Sequence, residues 1–217
     1  NKTYLTLGIR AGDLWDLIVG APFIGLTAYK VYLTIGGTSA FNGVKRRVLE
    51  VFIAISFILL FEGHGMHFAA NSIDNLAELN PINGEVMELI YFYDEILSHK
   101  ILFSGIFGLL LAGNILQYKH EIENAVNRKE LFLLIFSGFW FGVALAFSTI
   151  EGQSAILGII YSAILILSVY IIRIKYSPHI RKMPFSVFTL TASISLIFTS
   201  LSYAAVLGGF IQPSQFI

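Results

Sequence analysis

The sequence predicts an all-α protein: a polytopic transmembrane helical bundle of about six spans, formed as a single domain over residues 1–217. Three observations predict it. Hydrophobic residues make up 56% of the 217 residues and charged residues only 13%, whereas soluble globular proteins carry about 25% charged residues. Apolar stretches of spanning length recur along the chain, and the loops between them alternate between basic and non-basic. A soluble domain of this composition would expose large apolar patches.

Six stretches approach the roughly 20 apolar residues that a helix needs to cross a bilayer. The first is the weakest because Asp16, Pro22 and Lys30 interrupt it, and the second and fifth are the clearest. No linker or internal repeat divides the chain. We predict spans at residues 14–35, 48–70, 95–118, 131–149, 155–174 and 185–207.

The loop charges predict the orientation of these spans, since Lys and Arg are enriched in cytoplasmic loops. Basic residues follow spans one, three and five, whereas residues 71–94 and 151–154 contain none. Both termini are therefore expected on the extracytoplasmic side of the cell membrane. The basic residues are Lys45, Arg46, Arg47, Lys119, Arg128, Lys129, Arg173, Lys175, Arg181 and Lys182.

Charge and cysteine content narrow the function classes. The chain has 14 basic and 14 acidic residues, and without a basic face a nucleic-acid partner is not expected. Cysteine is absent, which excludes disulfides, thiolate metal sites, iron–sulfur clusters and cysteine nucleophiles.

Histidines and carboxylates lie where lipid would tolerate neither, and such residues mark candidate functional sites. His64 and His67 fall in the outer part of span two, Glu95 and His99 begin span three, and Glu151 closes span four. The predicted orientation brings all three segments to one extracytoplasmic level.

The spacing of these residues predicts two facing stripes. At 100° per residue, His64, His67, Asn71 and Asp74 share a sector of about 80°, with Asp74 included only if the helix continues beyond residue 70. Glu95 and His99 are four residues apart and share a face. Spans two and three are expected to be antiparallel neighbours, so their polar faces can meet.

Imidazoles with carboxylates and no thiolate suit zinc or iron. The predicted ligands of one ion are His64, His67, Glu95 and His99. Adding Glu62 and Glu151 would provide enough ligands for two ions. Glu62, however, projects about 160° away from the two histidines on its helix. Gly63 and Gly65 would let another helix approach closely. A b-type haem between imidazoles of different helices is a minor alternative.

Each assignment has a structural alternative. Glu62 can pair with Lys100, Asp94 can simply begin a helix whose dipole favours it, and Glu151 can sit in a solvated turn. The hydroxyl groups of span six are expected to join helices rather than line a polar path. These hydroxyl residues are Thr189, Thr191, Ser193, Ser195, Thr199, Ser200 and Ser202.

The resulting functional hypothesis is a membrane metalloenzyme, a hydrolase or an oxidoreductase, that acts on a lipid-like or small apolar substrate. Glu95, Asp94 or Glu151 would be its catalytic base. The H-E-x-x-H metalloprotease pattern is absent. The alternatives are a metal-binding or structural subunit of a larger membrane complex and, with less support, a proton or cation transporter. Expected partners are membrane lipid, other membrane subunits, or further copies in a homo-oligomer.

Overall fold

Six helical stretches of the protein are long and apolar enough to cross a membrane. The computed structural model describes residues 4–6, 9–36, 44–79, 83–119, 121–176 and 179–216. A short antiparallel hairpin of β1 (Tyr4–Thr6) and β2 (Ile9–Arg10) precedes them. The all-α helical bundle and the number of spans predicted from the sequence are confirmed.

The first stretch is α1 (Ala11–Trp15), a π-helical turn (Asp16–Gly20) and α2 (Ala21–Gly36). The second is α3 (Val44–Leu79). The third is continuous through α4 (Gly84–Tyr91), a π-helical segment (Phe92–Ser98) and α5 (His99–Lys119). The remaining stretches are α6 (Arg128–Glu151), α7 (Ala155–Tyr176) and α8 (Pro184–Leu207).

Two helical stretches are more than ten residues longer than the predicted spans, because hydropathy detects only the part of a helix that is apolar throughout. Helix α3 continues past residue 70 to Leu79. The third stretch begins at Gly84 rather than at Glu95, since Asn83 caps it by accepting a 3.1 Å hydrogen bond from the Glu85 N–H. An acidic residue in this first turn also favours the helix dipole. Asp94 therefore lies inside a helical stretch, and the expectation that it begins a helix is wrong.

Helices α3 and α5 cross at two glycines that permit unusually close backbone contact. A Cβ atom on Gly63 would lie 2.7 Å from the carbonyl oxygen of Ser98, and one on Gly105 would lie 2.7 Å from that of Ser56. A Cβ on Gly65 would meet nothing within 4 Å. The expected role in close packing thus holds for Gly63 and is wrong for Gly65, which faces open space.

Helices α6 and α8 form the most extensive helix pair, and small residues again set their separation. A Cβ on Gly138 would lie 2.7 Å from the Phe188 carbonyl oxygen. The Ser195 hydroxyl of α8 donates a 2.9 Å hydrogen bond to the carbonyl oxygen of Phe139. This bond agrees with the prediction that span-six hydroxyls join helices.

The centre of the bundle and its outer surface are both apolar, as expected of a membrane protein. Phe103, Leu165 and Leu196 belong to a buried cluster between α5, α7 and α8. Large apolar residues are also widely exposed, among them Phe198 at 70% and Val206 at 81%. Burial against lipid or against another apolar partner would cover this surface.

Candidate functional site

A cluster of histidines and carboxylates lies where α3, the π-helical segment, the start of α5 and the end of α6 come together. α3 supplies His67, the π-helical segment supplies Asp94 and Glu95, α5 supplies His99, and α6 supplies Glu151. We call these five residues the His/carboxylate cluster. The structure therefore brings together most, but not all, of the residues predicted from the sequence.

The closest polar contact in the cluster joins two helical stretches. Nδ1 of His67 lies 2.6 Å from Oδ1 of Asp94. Asp94 is only 7% exposed, so this contact sits in the seam between α3 and the π-helical segment. A π-helical turn alters which side chains face a neighbouring helix and is common at functional sites. Here it coincides with a carboxylate turned inward.

His99 is held by contacts on several sides. Its Nδ1 lies 3.1 Å from the backbone carbonyl oxygen of Glu95, and a carbonyl can only accept, so Nδ1 carries the proton and Nε2 a lone pair. Its ring stacks on Phe103 at 6.0 Å and lies 4.7 Å from the ring of His67, centroid to centroid. A Cβ on Gly152 would lie 2.7 Å from its Cδ2, so the ring packs directly against the α6 end.

The segment after α8 folds over the two glutamates. The Gln212 side-chain amide donates to the Glu151 backbone oxygen at 2.8 Å and to Oε2 of Glu95 at 3.4 Å. The Ser214 backbone N–H donates to Oε2 of Glu151 at 3.1 Å. Sequence reasoning missed this segment because its residues, unlike buried charges, carry no compositional signature. Glu151 is half-buried, so the solvated-turn alternative for this residue stays a prediction.

The carboxylates of the cluster are not balanced by basic side chains. In the part of the chain that the structure describes, neither Lys nor Arg forms an ion pair with Asp94, Glu95 or Glu151. Among the described side chains that can carry a positive charge, only the imidazole of His67 contacts one of these carboxylates. The cluster therefore carries excess negative charge unless it takes up protons or another cation.

Two predicted ligands have other surroundings. Glu62 is exposed on α3 and forms neither a hydrogen bond nor an ion pair with any described residue. The alternative pairing of Glu62 with Lys100 is thus not formed. His64 is half-buried one turn before His67 and has interactions of its own.

The His/carboxylate cluster does not present three protein ligands to one ion among the described residues. Among the described residues, no three His, Asp or Glu side chains are placed so that they could jointly hold a metal ion. The His67–His99 spacing of 4.7 Å is nevertheless close to the value for two imidazoles on one ion. Zn–N bonds of about 2.0–2.1 Å at a tetrahedral angle would separate the two ring centroids by about 5 Å.

Fold and cluster together define an integral membrane helical bundle with a His/carboxylate cluster at one end. Comparison with known proteins adds no closer identification: the chain matches no family model, no curated protein and no solved structure.

Proposed function

We propose that this protein is a membrane metalloenzyme whose divalent ion, zinc or iron, is bound by His67 and His99. The observation that carries the proposal is the pair of neighbouring imidazole rings, whose centroids are 4.7 Å apart, with Nδ1 of His67 2.6 Å from Oδ1 of Asp94 and Nδ1 of His99 3.1 Å from the Glu95 carbonyl oxygen. That arrangement leaves Nε2 of both rings as the ligand atom. Because no third His, Asp or Glu among the described residues is placed to bind the same ion, water or substrate would complete its coordination.

The partners of the two rings support this proposal. Histidines that bind metals almost always direct their other ring nitrogen at a carboxylate, a backbone carbonyl or water. The Asp94 carboxylate lies next to Nδ1 of His67, and the Glu95 backbone carbonyl accepts a hydrogen bond from Nδ1 of His99. Asp94, predicted from the sequence as a base, is therefore proposed to orient His67 instead.

Charge also favours a cation at this position. Three carboxylates without a Lys or Arg ion pair among the described residues would repel one another in a medium of low dielectric constant. A divalent ion would relieve that repulsion. Gln212 would then hold Glu95, and Ser214 would hold Glu151, near the ion.

A zinc ion would act as a Lewis acid and lower the pKa of a bound water molecule. Glu95 or Glu151 would accept the proton of that water as it attacks an ester, amide or phosphate of a lipid-derived substrate. Iron in place of zinc would indicate an oxidoreductase. The alternating loop charges support an extracytoplasmic position of the cluster in the cell membrane.

A second candidate function, a subunit of a larger membrane complex, is favoured by Glu62. Its carboxylate is exposed on α3 beside Ile58 and Phe61, which are 59% and 42% exposed. An ionisable group on an apolar membrane surface is costly unless it has a partner. Copurification of another membrane protein with the wild-type chain, lost in Glu62→Gln, would support this candidate.

Elemental analysis of the purified protein tests the metalloenzyme proposal. We expect about one zinc or iron per chain, lost in His67→Ala and in His99→Ala. His179→Ala, an exposed histidine outside the cluster, is the control and should retain the metal. Wild-type protein that binds neither metal when reconstituted would contradict the proposal, and a haem absorption spectrum would replace it with the haem alternative.

A further inference from the structure

A cavity of about 640 Å³ lies beside the His/carboxylate cluster, between the start of α5, the start of α7 and the segment after α8. Its volume is in the range of small-molecule sites. Lys100 follows His99 directly in α5 but lines this cavity instead. Gln212 lines the cavity as well and also bonds Glu95 and the Glu151 backbone. Gln212 thus connects the cavity with the cluster.

Lys100 makes the cavity suitable for an anion. Of the described residues, none forms an ion pair with Lys100, although several carboxylates lie in the same end of the bundle. Helix α5 rises about 1.5 Å per residue, so Lys100 lies about 28 Å from the other end of the helix at Lys119. This length is close to the roughly 30 Å of the hydrocarbon core, which puts Lys100 at the level of lipid headgroups.

The rim of the cavity is polar and ordered by hydrogen bonds. The Gln215 amide donates to the side-chain oxygen of Gln212 at 3.1 Å, and the Gln153 amide donates to the hydroxyl of Tyr91. The wall formed by α7 is apolar, with Ile156 and Ile160 exposed by 64% and 49%. A ligand would therefore meet a cation and amides at one end and hydrocarbon at the other.

A second, apolar cavity of about 230 Å³ lies between α3, α5 and α7, farther along α5 toward the basic end. On α5 its lining residues Ser104, Gly108 and Leu111 follow Lys100 at helical spacing, and on α7 Ile164 follows Ile160. Gly108 lies about 12 Å along the helix from Lys100. Along α5, the cavity that contains Lys100 therefore comes first and the apolar cavity second. This is the order of the headgroup and the hydrocarbon chain in an amphiphile.

We propose that these two cavities bind a single-chain lipid with an anionic headgroup, which pairs with Lys100 while its hydrocarbon chain lies along α5 between α7 and α3. The evidence for lipid binding is the two cavities and the position of Lys100. That the bound lipid is the substrate or product of the enzyme rests on the function proposed above.

Dodecyl phosphate, titrated into the full chain in nanodiscs of a zwitterionic phospholipid with empty nanodiscs subtracted, tests this site. We expect saturable binding of about one molecule per chain, weakened about tenfold by Lys100→Gln because a charge-assisted hydrogen bond is lost. Dodecyl phosphocholine should bind about tenfold more weakly than dodecyl phosphate. Arg173→Gln, which removes an exposed cation at the other end of α7, should leave the affinity unchanged.

A substitution that fills the apolar cavity of about 230 Å³ tests the binding of the hydrocarbon chain separately. Ile164→Trp should weaken the binding of dodecyl phosphate and leave the affinity for hexyl phosphate unchanged, since the shorter chain does not reach that cavity. Wild-type affinity in Lys100→Gln, or an equal loss in Arg173→Gln, would overturn the proposal. So would equal binding of inorganic phosphate, which would show that the hydrocarbon chain contributes nothing.

The metal and the lipid site can fail independently. His67→Ala is expected to lose the metal and keep dodecyl phosphate binding. If that variant also loses dodecyl phosphate binding, the metal rather than Lys100 holds the headgroup. This outcome would overturn the proposed lipid site without contradicting the proposed metal centre. Lys100-dependent binding to a wild-type protein that holds no metal would support the lipid site and contradict the metal centre.

Discussion

His67 of α3 and His99 of α5 bring their ring centroids within 4.7 Å of each other at an angle of 50°. The oxygen atoms that face their Nδ1 atoms come from consecutive residues, Asp94 and Glu95. Both residues belong to the π-helical segment Phe92–Ser98. One irregular turn therefore contacts both imidazoles.

Removing the carboxylate that faces His67 is expected to weaken metal binding without displacing the ligand itself. Asp94→Ala should lower the metal affinity by about 10- to 100-fold, the usual effect of losing such a partner. Titration of the metal-free protein against a competing chelator measures it. Glu88→Ala, which removes an exposed carboxylate of the same helical stretch, is the matched control. An unchanged affinity in Asp94→Ala would show that Asp94 does not orient His67.

The ring of His99 should also be sensitive to the backbone beneath it. A Cβ on Gly152 would lie 2.7 Å from Cδ2 of His99, so Gly152→Ala must push the ring away from its present place. We expect a loss of metal affinity of at least about tenfold, measured by the same titration. Gly209→Ala, where a Cβ meets nothing within 4 Å, should bind metal normally. Full affinity in Gly152→Ala would contradict the described placement of His99.

The close crossing of α3 and α5 predicts opposite outcomes for two neighbouring glycines. Gly63→Ala should lower the free energy of unfolding by about 1–3 kcal/mol, because its Cβ would meet the Ser98 carbonyl oxygen and the α5 backbone. Gly65→Ala faces open space and should be neutral or stabilising by up to about 1 kcal/mol, since alanine favours helix over glycine. Denaturant unfolding in detergent compares the two. Equal stability of the variants would refute the close crossing.

Metal binding should fall as the pH falls. An imidazole binds metal only in its neutral form, so protons compete with the ion for Nε2 of His67 and of His99. Because two rings are involved, we expect affinity to decline more steeply than a single-histidine site would between about pH 7 and about pH 5. Equilibrium dialysis at fixed metal concentration follows this decline. An affinity that is constant over the interval would argue for carboxylate ligands alone.

The helical bundle could be predicted almost entirely from composition. The six apolar stretches identify six membrane-spanning helices because hydrocarbon admits few other structures. The helix ends were less predictable. The start at Gly84 depends on the cap at Asn83, and the polar end of α3 beyond residue 70 is helical although it lacks a continuous apolar run.

The site was predicted in part. Spacing predicted that Glu95 and His99 share a helix face. The loop charges and the antiparallel pairing of spans two and three predicted that His67 faces them. The inward position of Asp94 could not be predicted, because it depends on the π-helical turn, which no residue pattern in this segment indicates. Helical periodicity did predict that Glu62 projects away from the histidines, and the structure has it exposed. The contacts of Gln212 arise only from the three-dimensional fold.

X-ray absorption at the metal edge of the loaded wild-type protein tests the shared ion of His67 and His99 most directly. We expect two imidazole nitrogens at about 2.0–2.1 Å together with oxygen ligands, and one imidazole fewer in His99→Ala if any metal is retained. A first shell of oxygen atoms without imidazole, in a protein that binds the metal at one ion per chain, would contradict this account.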